Sequence, residues 1–184
     1  MSNTAKLAII GGTGISQLKD LEITATQSIE TPFGKPSADY IIGKLHNKAV
    51  VFLARHGDPH CIPPHKINYR ANIWGLKQLG VTDIIAIAAV GGISSEMAPA
   101  HLAIPDQIID YTYGREHTIY DGVHYDAVDH IDFTAPYDQL IRQQLIEAAK
   151  TADISVLERA TYGAIQGPRL ETAAEIKKLK NDGC

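Results

Sequence analysis

Arg55, His56 and His60 are the residues of this sequence whose types and spacing best suit chemistry. They close an apolar run, Val50 to Ala54, in the stretch Ala54-Arg55-His56-Gly57-Asp58-Pro59-His60. Arginine offers a planar fork of donors matched to phosphate or carboxylate, and the imidazoles change charge near neutral pH. Gly57 lets the backbone turn sharply or come close to a ligand. The plainer alternative is a local Arg55–Asp58 ion pair beside solvated histidines. His56, His60 and His65 stand at spacings near those of helical metal ligands, but Pro59, Pro63 and Pro64 forbid one continuous helix that could present them. No metal is expected.

Three further loops share the character of this one. Gly11-Gly12-Thr13-Gly14 follows a short apolar run, Lys6 to Ile10. Gln17 stands where a dinucleotide-binding loop needs its third glycine, and the Lys-Ser/Thr tail of a P-loop is absent. What remains is a tight turn whose backbone N–H groups, with the Thr13 hydroxyl, can cradle an anion. Ala89-Val90-Gly91-Gly92 and Gln166-Gly167-Pro168-Arg169-Leu170-Glu171-Thr172 complete the set. If these strand ends converge, Thr13, Arg55 and His56 surround an anion. No Gly-x-Ser-x-Gly, Ser-His-Asp or Cys-His grouping supplies a nucleophile, so the anion itself is a candidate substrate.

The elements that must position these loops alternate. Strands are expected over Lys6–Ile10, Tyr40–Leu45, Lys48–Leu53, Leu102–Ile104, Gln107–Tyr111 and Val156–Ile165, with His46-Asn47 as a hairpin turn. Ile84 to Val90 is apolar without alternation, the pattern of a central parallel strand covered on both faces. Helices are predicted over Lys66–Leu79, ended by Gly80, and over Pro136–Thr151. A third opens at the capping box Thr172-x-x-Glu175 and runs to Asn181-Asp182-Gly183. Residues 112–134 lack periodicity and read as a long functional loop. The expected class is α/β, a mostly parallel or mixed central sheet flanked by helices, in a single domain over 1–184. With 17 basic and 21 acidic residues the net charge is −4, and no basic block marks a nucleic-acid footprint. No apolar run approaches the ~20 residues that span a bilayer. Cys61 and Cys184 are isolated, which fits a reduced, cytoplasmic protein.

Taken in order, Gly-Gly-Thr-Gly at 11–14, Thr-Pro-Phe-Gly-Lys-Pro-Ser at 31–37, Ala-Arg-His-Gly at 54–57, Asn-Tyr-Arg-Ala-Asn-Ile-Trp at 68–74, Val-Gly-Gly at 90–92 and Gln-Gly-Pro-Arg at 166–169 resemble the methylthioadenosine phosphorylase branch of the purine nucleoside phosphorylase family. The resemblance implies a three-layer nucleoside phosphorylase-like fold, a homotrimer and no cofactor, with inorganic phosphate as co-substrate. It implies that Thr13, Arg55, His56, Ala88 and Ala89 hold phosphate, with Arg55 and His56 catalytic and His60 contacting substrate. Relatives carry a hydroxyl or amide side chain at the Ala88 position, so any contribution there falls to backbone. Leu170 and Glu171 occupy the base-specificity loop. A carboxylate only accepts hydrogen bonds; it suits the N1–H of a 6-oxopurine and meets the bare N1 of adenine unfavourably. The implied reaction is phosphorolysis of S-methyl-5′-thioinosine to hypoxanthine and 5-methylthioribose 1-phosphate in purine salvage. Methylthioadenosine and ordinary 6-oxopurine nucleosides are the alternative substrates, and charge complementarity at a helix N-terminus is the alternative role for Glu171. Members of the branch extend beyond the equivalent of Cys184, in a part that contacts ribose and N7 of the base. The resemblance therefore also leaves open a shortened chain that binds phosphate without turnover.

Overall fold

The computed structural model describes residues 6–12, 20–125 and 127–184, in two compact units. The first comprises Met1–Ala89 and Gly114–Val128, the second Val90–Tyr113 and Asp129–Cys184.

The first unit is built on a five-stranded mixed sheet. Its strands are β1 (Leu7–Gly11), β2 (Leu21–Gln27), β3 (Tyr40–Leu45), β4 (Lys48–Ala54) and β5 (Asp83–Ala86), in the order β2-β3-β4-β1-β5. β3 runs antiparallel to β2 and β4, whereas β4 and β5 both run parallel to β1. The β3–β4 hairpin closes through His46 and Asn47, both at positive φ (47° and 64°). That is the turn whose twist matches the flanking strands.

Helix α1 (Tyr69–Gln78) packs on this sheet through Leu76, which joins Ala8, Tyr40, Val51 and Leu53 in a buried cluster. Tyr40 runs under the helix at Gly75, where a Cβ would stand 2.8 Å from the ring Cε2. Its hydroxyl is shared between the carbonyls of Ala71 and Asn72, at 3.2 and 3.0 Å, and burial pushes its phenol above the ordinary range. Asn68 caps α1 by accepting from Ala71 N, while its Nδ2 donates to the Phe33 carbonyl at 2.7 Å. The Thr31–Ser37 loop is thereby anchored to the helix start, and Asn72 fixes the other end of the loop at Ser37. Residues 112–125 and 127–134 form no helix or strand. Arg70 of α1 holds part of this segment through Asp121 at 3.2 Å and Glu116 at 3.4 Å.

The Ile84–Val90 run departs from the expected central strand. β5 ends at Ala86 and forms an edge of the described sheet, and Ile87 and Val90 are 45% and 52% exposed. Only the first half of the run enters the ladder; the backbone then leaves the sheet toward Gly91-Gly92.

The second unit holds two short parallel pairs, β6 (Leu102–Ala103) with β8 (Val156–Leu157), and β7 (Gln107–Asp110) with β9 (Thr161–Ala164). The single strand expected over Val156–Ile165 is thus broken at Glu158–Ala160. Pro105 interrupts the facing chain and has no N–H to give to a ladder. Asp106 then takes Arg159 Nε at 2.8 Å and Ala160 N at 3.1 Å. Arg142 of helix α2 (Gln139–Thr151) donates to the carbonyls of Pro105 and Ile104, stapling the break. Helix α3 (Ala173–Asn181) starts at a complete capping box: Thr172 Oγ1 accepts from Glu175 N, and Glu175 accepts from Thr172 N.

No helix among the described residues is long and apolar enough to cross a membrane.

Candidate active site

The parallel strands β4, β1 and β5 end level with one another. Gly11 faces Ala54 and Ile10 faces Ala86 in the ladder. Beyond it, Arg55 N donates to the Gly11 carbonyl at 3.0 Å and Ile87 N to the Ile10 carbonyl at 2.8 Å. Carboxyl ends of parallel strands are where α/β sheets bind ligands.

Arg55 lies across these ends. Its Nη1 donates to the Ile87 carbonyl at 2.6 Å and its Nε to His56 Nε2 at 3.1 Å. A Cβ placed on Gly12 would stand 4.0 Å from Nη2, so that edge of the guanidinium reaches over the end of β1. Among the described residues no carboxylate pairs with Arg55. The local ion pair with Asp58 does not form. A half-buried cation held by two neutral acceptors keeps free donors for an external anion.

The turn after β4 holds His56 closely. Gly57 takes φ +80°, and the backbone comes back so that Cys61 N and Ile62 N both donate to the His56 carbonyl, at 3.0 and 2.9 Å. The imidazole Nδ1 lies 2.9 Å from the Ile62 carbonyl. His60 stacks on the ring, centroids 4.4 Å apart and 10° from parallel. Burial first, then the charges of Arg55 and His60, push the imidazole below its ordinary value against the opposing pull of the Ile62 carbonyl. His60 itself is exposed.

Backbone donors gather at the same ends. Among the described residues no acceptor meets the N–H groups of Gly12, His56, Ala88 or Ala89. Backbone N–H groups left open at strand ends, beside an uncompensated guanidinium, suit an anion with several oxygens. Ala88 and Ala89 have apolar side chains, so their only donors are main-chain ones. Thr13 and Gly14 lie outside the described residues.

Leu170 and Glu171 belong to the second unit, just before α3. Leu170 is 84% exposed. Arg169 forms a two-pronged pair with Glu175, 2.8 and 2.7 Å, and its Nη1 also donates to the Leu170 carbonyl. The capping role therefore falls to Thr172 and Glu175. Glu171 accepts no hydrogen bond from a described residue, which leaves its carboxylate available to a ligand.

Two groups that shape the site carry no sequence signal: the carbonyls of Ile87 and Ile62, which hold Arg55 and His56. They are main-chain acceptors on apolar residues, so only the folded backbone reveals them. No cluster of three metal-ligating side chains occurs among the described residues.

Residues 6–184 match the model of the family described as the phosphorylase superfamily. The chain is 47% identical over 183 residues to a Xanthomonas campestris protein named "Probable S-methyl-5'-thioinosine phosphorylase", covering 100% of this chain and 73% of that one. It is 46% identical over 179 residues to the 6-oxopurine nucleoside phosphorylase of Pyrococcus furiosus, covering 95% and 66%. Among solved structures it is similar to a mutant of the Schistosoma mansoni adenosine/methylthioadenosine phosphorylase in complex with methylthioadenosine. There the TM-score is 0.92 at 34% identity, over 97% of this chain and 69% of that one. The mixed sheet flanked by helices is the nucleoside phosphorylase fold, and the chain belongs to the phosphorylase superfamily.

Proposed function

We propose that this chain binds phosphate at the carboxyl ends of β1, β4 and β5 and directs it onto S-methyl-5′-thioinosine, releasing hypoxanthine and 5-methylthioribose 1-phosphate. The observation that carries the reading is Arg55. It is a cation without a carboxylate partner among the described residues, lying across three strand ends beyond which the N–H groups of Gly12, His56, Ala88 and Ala89 meet no described acceptor.

The chemistry follows from that placement. A nucleoside's glycosidic bond breaks through a state with cationic character at the anomeric carbon. An anion fixed beside that carbon stabilises the developing charge and then captures it, without the entropy cost of a free encounter. The phosphate is both electrostatic partner and nucleophile. In this reading Arg55, the His56 turn, the Ala88-Ala89 backbone and Thr13 hold it, His60 meets substrate, and no cofactor or metal takes part. Glu171 gives the preference for a 6-oxopurine, whose N1–H a carboxylate can accept, with Leu170 beside it. A homotrimer in the cytoplasm is the expected setting.

Phosphorolysis of methylthioinosine and methylthioadenosine by the 184-residue chain, followed with and without phosphate, tests the reading. Phosphate-dependent release of hypoxanthine, faster than release of adenine, is expected. Preference for the adenine compound would reassign the chain to methylthioadenosine. Phosphate binding with no turnover of either would favour a non-catalytic role.

A further inference from the structure

We propose that His56 is a positioning residue for Arg55: as the Nδ1–H tautomer its ring accepts from Arg55 Nε and so fixes the guanidinium edge that meets the anion, without contacting the anion itself. The proposal rests on the phosphate site described above and adds a division of labour within the Arg-His pair.

The tautomer follows from the partners. Arginine Nε carries a hydrogen and has no acceptor capacity, and a carbonyl oxygen only accepts. The His56 ring lies between the two, with Nε2 facing Arg55 Nε at 3.1 Å and Nδ1 facing the Ile62 carbonyl at 2.9 Å. Only the neutral ring with its proton on Nδ1 satisfies both contacts. The ring cannot readily swing away, because His60 stacks on one face and the His56 carbonyl is tied to Cys61 N and Ile62 N.

Among the described residues Arg55 is consequently held at two points, by His56 at Nε and by the Ile87 carbonyl at Nη1. Among the described residues nothing meets the Nη2 edge, which faces Gly12. Two fixed donors on a planar group leave little torsional freedom, so the anion meets an edge set in advance of binding. Proton uptake at Nε2 would turn the acceptor into a donor facing Arg55 Nε–H and set two cations side by side. Among the described residues, the titratable groups bearing on the ring are Arg55 and His60, and both disfavour that charge.

The sign of the pH effect separates this role from direct contact. An imidazolium that touched the anion would bind it more tightly in acid. A positioning imidazole loses its grip on Arg55 in acid, and affinity falls below the ordinary imidazole value of about 6.5. Sulfate is the suitable probe because its own charge stays constant over this range, unlike that of phosphate.

Calorimetric titration of the full chain with sulfate, from about pH 8 to about pH 5, should show affinity falling at least about threefold. His56→Gln, whose Oε1 can replace Nε2 as acceptor, should bind within about threefold of wild type at the upper pH and lose the acid effect. His56→Ala should bind several-fold more weakly throughout, while His60→Asn should keep the acid effect, assigning it to His56. Nitrogen-15 spectra of the wild-type chain should show His56 protonated at Nδ1. Tighter sulfate binding in acid, an unchanged acid effect in His56→Gln, or a ring protonated at Nε2 would overturn the positioning role alone. Absence of sulfate and phosphate binding by the wild-type chain at every pH would overturn the anion site together with it.

Discussion

Arg55 and Glu171 show two ways in which a charged side chain is left open for a ligand. Arg55 is held by a ring nitrogen and a carbonyl, neither of which neutralises it. Glu171 is spared because its neighbours Thr172 and Glu175 complete the cap of α3 between themselves. Among the described residues no donor meets this carboxylate, which in the proposed site selects among purines by the hydrogen on N1. Glu171→Gln, which can either donate or accept, should lower the preference for methylthioinosine over methylthioadenosine by about tenfold, on the order of 1.5 kcal/mol of lost charged hydrogen bonding. Relative kcat/KM for the two nucleosides is the readout, and an unchanged ratio would remove Glu171 from base selection. At this scale the sequence was informative where side chains are proposed to carry the chemistry, as at Arg55 and Glu171. It was silent where carbonyls do, because the acceptors at Ile62 and Ile87 depend on how the backbone turns.

Elements specified by nearby residues were legible in advance. The His46-Asn47 hairpin and the α3 capping box each depend on residues within one turn, and both formed as expected. Thr172→Ala should cost about 1 kcal/mol through loss of the cap, read as a lower denaturant midpoint at unchanged slope. The same cap has a pH signature. The hydrogen bonds of Arg169 first, then that from Thr172 N, hold the Glu175 carboxyl down to about 2 from an ordinary 4.5. Its contribution should therefore be fully present above the ordinary value and vanish as pH falls toward about 2. A carboxyl-carbon titration placing Glu175 in the ordinary range would show that the pair is not maintained in solution. Elements that depend on distant residues were harder to read. The break between β8 and β9 is matched in the facing chain, where Pro105 and Asp106 separate β6 from β7. The apolar run after Asp83 looked central, yet β5 ends early because its last residues leave the ladder.

For the whole molecule, the exposed apolar side chains in the segment 112–134 matter most. Tyr113, Val123, Val128, Ile131 and Phe133 are 73%, 79%, 73%, 67% and 61% exposed. In the proposed homotrimer the subunit contacts would cover Ile131 and Phe133 of the second unit. Light scattering should give three times the monomer mass, and Ile131→Asp should shift the mass toward monomer; a monomeric wild type would contradict the assembly. The general class of α/β sheet was readable from alternating elements. The site was readable only in part, since convergence of the β1, β4 and β5 ends is a property of register rather than of any one residue. The most direct test of that convergence is calorimetric titration of wild type and Arg55→Ala with phosphate at neutral pH. Wild type should bind, and the variant should bind at least about tenfold more weakly, the equivalent of ~1.5 kcal/mol for one charge-assisted contact. Equal affinity in the two proteins would show that the phosphate is held elsewhere.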